Sequence, residues 1–174
     1  MADTILVYFS KDGENYFPGG IKEIKEGNCK LLAKEIIKSL GIPSFEIVPE
    51  QPYPNGYQAC VKQAALEEKN KDYPTYKEDV SIDGYKNIVL LFPCWMGTYP
   101  RLIAAFLKNH DLKNKNILPI VSNEGSGLGH SLKDLKDNTP ANILSGIEFK
   151  GHEVAKRSDE IVASIAKLME GSAL

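Results

Sequence analysis

Two nearly unbroken apolar runs, Thr4-Ile5-Leu6-Val7-Tyr8-Phe9 and Ile88-Val89-Leu90-Leu91-Phe92-Pro93, limit what this chain can fold into more than any other feature. A strand with one face in water alternates apolar and polar side chains, whereas a strand covered on both faces does not. Both runs are rich in β-formers and read as strands of the second kind. Strands buried on both sides require helices above and below them, and right-handed crossovers then set the strands parallel.

The rest of the chain supplies that alternation. Asn28 is positioned to cap a helix over residues 28–40, with Leu31, Leu32 and Ile36 as an apolar stripe and Gly41 as its stop. Residues 44–48 read as a second strand, and 57–70 as a helix whose apolar face is Ala59, Val61, Ala64, Ala65 and Leu66. Residues 88–93 form the third strand, and Pro100 opens a helix over 101–109. Residues 116–121 form a fourth strand, although Pro119 removes a ladder donor. A short helix over 128–137, a fifth strand over 142–149 and an amphipathic helix over 159–170 complete the pattern. Segments 11–27 and 71–85 are the least regular. The expectation is a single α/β domain over 1–174, a three-layer doubly wound sheet of five parallel strands.

The 21 basic and 23 acidic residues nearly cancel, leaving a formal charge of −2. A nucleic-acid binder carries a basic face, so that class of partner is not expected. No apolar stretch approaches the roughly 20 residues of a membrane span, and a strand beginning at Thr4 leaves no room for a signal peptide. Cys29, Cys60 and Cys94 are odd in number and widely spaced, which argues against a disulfide framework or zinc site and for a reducing cytoplasm. His110, His130 and His152 are dispersed, and no serine-histidine-acid set or carboxylate pair suggests hydrolysis, so no catalytic or metal-binding residue is assigned.

Three loops at strand ends carry the functional signal, because ligands of such sheets sit outside the carboxyl ends of the strands. After strand one, Ser10, Lys11 and Asp12 lead to a helix start at Asn28 and Cys29. A strand, a loop and a helix N-terminus in that order make an anion site of free amides and a positive dipole end. After strand three comes Cys94-Trp95-Met96-Gly97-Thr98-Tyr99-Pro100. Its indole either stacks on a flat ligand or packs as a core or lid residue, and Gly97 either turns the chain or lets a peptide flip beside a ligand. After strand four, Asn123-Glu124-Gly125-Ser126-Gly127-Leu128-Gly129 lets backbone approach a flat ligand closely. The glycine spacing there fits neither a dinucleotide fingerprint nor a P-loop.

With these motifs the chain resembles the flavodoxins, in particular a small bacterial branch with Y-F-S-x-T-G-(E)-N near the start, P-x-W-W-G-T-x-P after strand three and E-G-S-G-L-G after strand four. The third motif matches at Glu124 to Gly129, and the second differs only in Met96 for the second tryptophan. The resemblance spans nearly the full length, including Pro52-Tyr53-Pro54 after strand two. It implies the strand order 2-1-3-4-5 and a site for flavin mononucleotide (FMN), with Ser10, Lys11 and the Asn28–Cys29 helix start on the phosphate. Pro93, Cys94, Trp95, Met96 and Gly97 would line one side of the ring, with Thr98 nearby, and Asn123, Glu124, Gly125 and Gly127 the other. The Gly97 peptide would turn toward the flavin N5.

The first motif departs from the family pattern. Asp12 and Cys29 stand where threonines are usual, and the insertion over 14–26 lets either end of the loop supply the phosphate contacts. A carboxylate about 4 Å from phosphate, at an effective dielectric near 20, costs roughly 4 kcal/mol. Replacing Asp12 by threonine is therefore expected to tighten binding if Asp12 faces the phosphate. The implied function is electron transfer through bound FMN, with a redox partner protein or a small-molecule donor or acceptor. The small net charge leaves open an NAD(P)H-dependent FMN or quinone reductase, and Asp12 and Cys29 leave open a module with lost or weakened flavin binding. A phosphoacceptor domain would need an aspartate where this chain has Phe92-Pro93-Cys94, and is discounted.

Overall fold

The computed structural model describes residues 3–171. In chain order the elements are β1 (Thr4–Tyr8), β2 (Gly13–Phe17), β3 (Gly20–Ile24), α1 (Asn28–Leu40), β4 (Ser44–Glu46) and α2 (Tyr57–Asn70). There follow β5 (Asn87–Pro93), α3 (Arg101–Asn109), β6 (Asn116–Asn123), α4 (Ser131–Asn138), β7 (Asn142–Ile143), β8 (Ile147–Lys150), a 3-10 turn (Gly151–Glu153) and α5 (Val154–Gly171). The parallel sheet runs β4-β1-β5-β6 with β7 and β8 sharing the far edge, which is the predicted order once β2 and β3 are set aside.

Every residue of β1 and β6, and all but Pro93 of β5, is buried. Side chains alternate between the two faces, as a strand dictates. Leu6, Tyr8, Val89, Leu91, Leu118 and Ile120 pack under α1 and α5. Ile5, Val7, Phe9, Ile88, Leu90, Phe92, Ile117 and Val121 pack on the opposite side, with Cys60 of α2, Leu102, Ile103 and Phe106 of α3 and Leu135 of α4.

Several expectations are corrected. The segment expected to be irregular holds an antiparallel hairpin, β2 with β3, in which Phe17 pairs with Gly20 across Pro18-Gly19. Strand two stops at Glu46, two residues early, and the helix after strand four begins at Ser131 rather than 128. The last helix starts at Val154, five residues before the expected 159. Asn28 does not cap α1: Gly27 occupies the N-cap and Asn28 opens the helix. On α2 the buried residues are Cys60, Ala64 and Glu67, while Ala59, Ala65 and Leu66 are exposed. Glu67 can be buried because it accepts hydrogen bonds from the Tyr53 hydroxyl and Gln63 Nε2, both at 2.9 Å.

Strand five is broken into β7 and β8 for a reason seated in β6. The Asn116 amide bonds Lys86 toward β5, whereas the Ile117 carbonyl accepts the Leu144 amide on the edge side. Alternate residues serve alternate neighbours, so Pro119 faces the edge strand without an N–H to offer. The ladder lapses there and resumes at Ile120 opposite Ile147.

At the amino end of the sheet an amide ladder crosses three strands. Asn142 Nδ2 donates to Asn116 Oδ1 at 2.9 Å, Asn116 Nδ2 to Asn87 Oδ1 at 2.8 Å, and Asn87 Nδ2 to Asp3 Oδ1 at 3.3 Å. Asn116→Ala strands the buried Asn87 oxygen and the Asn142 amide together. Chemical denaturation should record a loss of about 2 kcal/mol with an unchanged m-value; a loss under about 0.5 kcal/mol would mean the ladder contributes no stability.

Candidate functional site

A cavity of about 360 Å³ opens above the carboxyl ends of β1, β5 and β6. Lys11 and Asn28 border it from the first loop, Pro93 to Met96 from the second and Ser122 to Ser126 from the third. Six residues that sequence reasoning did not single out for the site also line it: Glu14, Asn15 and Tyr16 of β2, and Tyr57, Val61 and Ala64 of α2, alongside Cys60. Positions 57, 60, 61 and 64 follow helical spacing, so they project from one face of α2.

Trp95 is half-buried, with its indole edge-on to Phe9 at 5.4 Å and to Tyr53 at 4.9 Å between ring centroids. Tyr53 in turn is held by its hydroxyl on Glu67, and burial pushes that phenol well up from its ordinary value. The indole is therefore fixed from beneath while it borders the cavity. Met96 and Gly97 form the corner of a tight turn closed by the Trp95 and Thr98 backbones, with φ of 52° and 79°. A positive φ is uncommon for a methionine and costs of order 1 kcal/mol. It leaves the Met96 side chain 40% exposed at the cavity rim.

The second and third loops are fastened together. The His130 amide donates to the Gly97 carbonyl at 2.8 Å, and a side chain on Gly129 would overlap that same oxygen. Turning the Gly97 peptide would give up this bond and the one from the Thr98 amide to Trp95, together about 2 kcal/mol. Within the third loop, Asn123 Oδ1 accepts the Gly125 and Gly127 amides, while its Nδ2 reaches Glu148 and the Phe149 carbonyl. All its polar capacity is spent on holding the loop to β8.

Two helix starts, those of α1 and α2, border the cavity, the 3-10 turn before α5 meets it through Glu124, and each of the three borrows its cap from a distant residue. The Glu14 carboxylate accepts the Tyr57 amide at 2.7 Å at the start of α2. Glu124 accepts the His152 amide at 2.9 Å, and the imidazole Nδ1 at 2.6 Å, at the 3-10 turn before α5. At α1 the cap is neutral: Ser10 Oγ accepts the Lys30 amide at 3.0 Å, and a side chain on Gly27 would overlap that hydroxyl. The Asn28 and Cys29 amides precede the first possible intrahelical bond.

Of the residues expected at the site, the cavity lining brings together Lys11, Asn28, Pro93, Cys94, Trp95, Met96, Asn123, Glu124 and Gly125. Ser10 instead lines a second hollow of about 240 Å³, with Asp12, Gly27 and Lys30. The Cys29 side chain is buried under the sheet, and burial pushes its thiol far up. Thr98 is buried and its hydroxyl has no hydrogen-bond partner among the described residues, and Gly97 and Gly127 act through the backbone bonds just described. Burial likewise raises the pKa of Cys60, with Lys11 acting against it. Gly129→Ala should separate the loops, since φ is 54° and the added methyl meets the Gly97 oxygen. We expect a loss of about 3 kcal/mol in stability by thermal or urea unfolding; an undiminished stability would refute the clamp.

Comparison with known proteins places this geometry. The sequence model of the flavodoxin family matches residues 24–167. A Bacteroides uniformis ATCC 8492 protein classed as a flavoprotein superposes with a TM-score of 0.73 at 22% identity, over 92% of this chain and 97% of that one. A Bacteroides eggerthii DSM 20697 protein, also classed so, gives 0.69 at 23%, over 92% and 98%. A flavoprotein from Lactobacillus acidophilus NCFM, solved in complex with FMN, gives 0.65 at 19%, over 90% and 98%. These likenesses speak for the fold, and no curated protein matches the chain. The family match covers well over half the sequence, and the chain belongs to the flavodoxin family.

Proposed function

We propose that the chain binds FMN in the 360 Å³ cavity and passes electrons between a donor and an acceptor. The observation that carries this reading is the contrast among the three helix starts. Two are already neutralised by Glu14 and Glu124, while α1 has a neutral cap and no acidic residue in its first turn. An anion entering the cavity therefore finds its favourable dipole at α1, with Lys11 beside it.

Asn28, the Asn28 and Cys29 amides and Lys11 would hold the phosphate. Trp95 and Met96 would flank the ring, with the main chain of Gly125 approaching it closely. Bound there, the flavin supplies a ring that takes up and returns electrons singly or as hydride. The residues of this chain exclude water from the ring, orient it and offer main-chain hydrogen bonds. The partners are a redox protein or a small-molecule donor or acceptor, in a cytoplasm that keeps the three cysteines reduced. No helix among the described residues is long and apolar enough to cross a membrane. The net charge of −2 offers little field for protein docking, which favours a second reading as an NAD(P)H-dependent FMN or quinone reductase. Consumption of NADPH with a quinone by the isolated protein would select it.

Purified protein should be yellow, or quench the fluorescence of added FMN, and bound FMN should slow alkylation of Cys94, which lines the cavity. A colourless protein that quenches no FMN and whose Cys94 reacts equally with and without it would be a flavodoxin fold without its ligand.

Asp12 is exposed and lines the second hollow rather than the cavity. Asp12→Thr should therefore change the FMN dissociation constant by less than about twofold, its charge being screened by solvent. A tightening of tenfold or so would place that carboxylate against the phosphate.

A further inference from the structure

The family match begins at residue 24, the last of β3, so all of the hairpin but Ile24 lies outside the matched stretch. Yet it is fastened where it meets the cavity. The Glu14 amide donates to the Asn55 carbonyl at 3.0 Å, and its carboxylate accepts the Tyr57 amide. Gly13, at φ 73°, lies so close to Asn55 that any side chain there would overlap the Asn55 amide oxygen. The hairpin and the start of α2 thus form one unit.

That unit presents two aromatic rings. Tyr16 and Tyr57 lie 6.3 Å apart between centroids and tilt by 35°, and both line the cavity. Tyr16 is half exposed, and Tyr57 is its one ring partner among the described residues. An aromatic held over a cavity with so much of its area uncovered gains by covering it with a flat, conjugated ligand.

We propose that the hairpin is a ligand-contacting wall of the cavity, and that Tyr16 and Tyr57 bear on the isoalloxazine ring; this rests on the FMN reading above. Trp95 and Met96 reach the cavity from the end of β5, and the tyrosine pair reaches it from the hairpin and α2. The contact is with the ring and not with the phosphate, so it acts alike on FMN and on riboflavin. The hairpin then sets how long the flavin stays and covers part of it from solvent.

The test is titration of wild type, Tyr16→Ala, Tyr16→Phe and Tyr57→Ala with FMN and, separately, riboflavin, following flavin fluorescence. Tyr16→Ala should weaken both ligands by the same factor, about tenfold for a lost aromatic contact. It should also raise the residual fluorescence of the bound flavin, which a purely structural role would not do. Tyr16→Phe keeps the ring and should restore both values. Unchanged affinities for both ligands in Tyr16→Ala would overturn the proposal. So would a loss confined to FMN, which would make the hairpin an adjunct of the phosphate loop. Tyr16 is a half-exposed strand residue, so Tyr16→Ala decides the matter even if Tyr57→Ala does not fold. If wild type binds neither flavin, the FMN reading itself fails and the proposal goes with it; wild-type binding with indifferent variants sinks the proposal alone.

Discussion

The parallel ladders joining β1 to β5 and β5 to β6 hold Tyr8, Leu91 and Ile120 side by side, so the three strands end close together, β1 at that level and β5 and β6 a few residues beyond it. Burial on both faces enforces that register. A slip of one residue would exchange the set under α1 and α5 for the set under α2, α3 and α4, and every side chain would meet the wrong neighbours. At the opposite end, Asn87, Asn116 and Asn142 can pair only when the strands are aligned as found, because amide donors and acceptors reach one residue across. The loops at the top inherit this alignment, and the cavity exists because three of them rise from adjacent points.

The central strands were legible because two-sided burial removes the alternation that polar faces impose, leaving uninterrupted apolar runs. The hairpin was not legible for the converse reason. Its strands bury only Gly13; Glu14, Asn15, Lys22 and Glu23 are paired across it, and its apolar pair Tyr16 and Ile21 is exposed rather than set into a core. The remaining signal was Pro18-Gly19 between Phe17 and Gly20, a dipeptide suited to a two-residue turn. On α2 the inward face contains Glu67, a residue that any hydrophobicity argument assigns to solvent, and the Tyr53 hydroxyl and Gln63 amide that donate to it explain its burial.

At the site, the sequence revealed which loops converge but not which way each side chain points. Cys29 and Thr98 occupy positions suited to ligand contact, yet both side chains turn into the protein. Asn123 and Glu124 border the cavity while their polar atoms serve the Gly125 and Gly127 amides, β8 and the His152 amide. A motif specifies a backbone path as much as a set of contacts, and here several of its polar residues shape the path. The contribution of α2 was hidden differently: Tyr57, Cys60, Val61 and Ala64 belong to no strand-end loop, and only the fold brings them to the cavity.

The borrowed caps couple the helices to the loops. Gly27 and Gly56 precede α1 and α2 and have no side chain to offer, so the acceptors come from Ser10 and Glu14, far away in sequence. Loop geometry and helix stability then rest on the same bonds, and a loop cannot swing open without uncapping a helix, at about 1 kcal/mol or more per cap. The three starts differ in what remains unsatisfied. Carboxylates complement the dipoles of α2 and the turn before α5, whereas a neutral hydroxyl leaves the positive end of α1 uncompensated. An anion bound at the Asn28 and Cys29 amides would supply the missing charge to the helix that packs against β1, β5 and α5. Such a ligand stabilises the folded state in proportion to its concentration over its dissociation constant, so site occupancy and fold stability rise together.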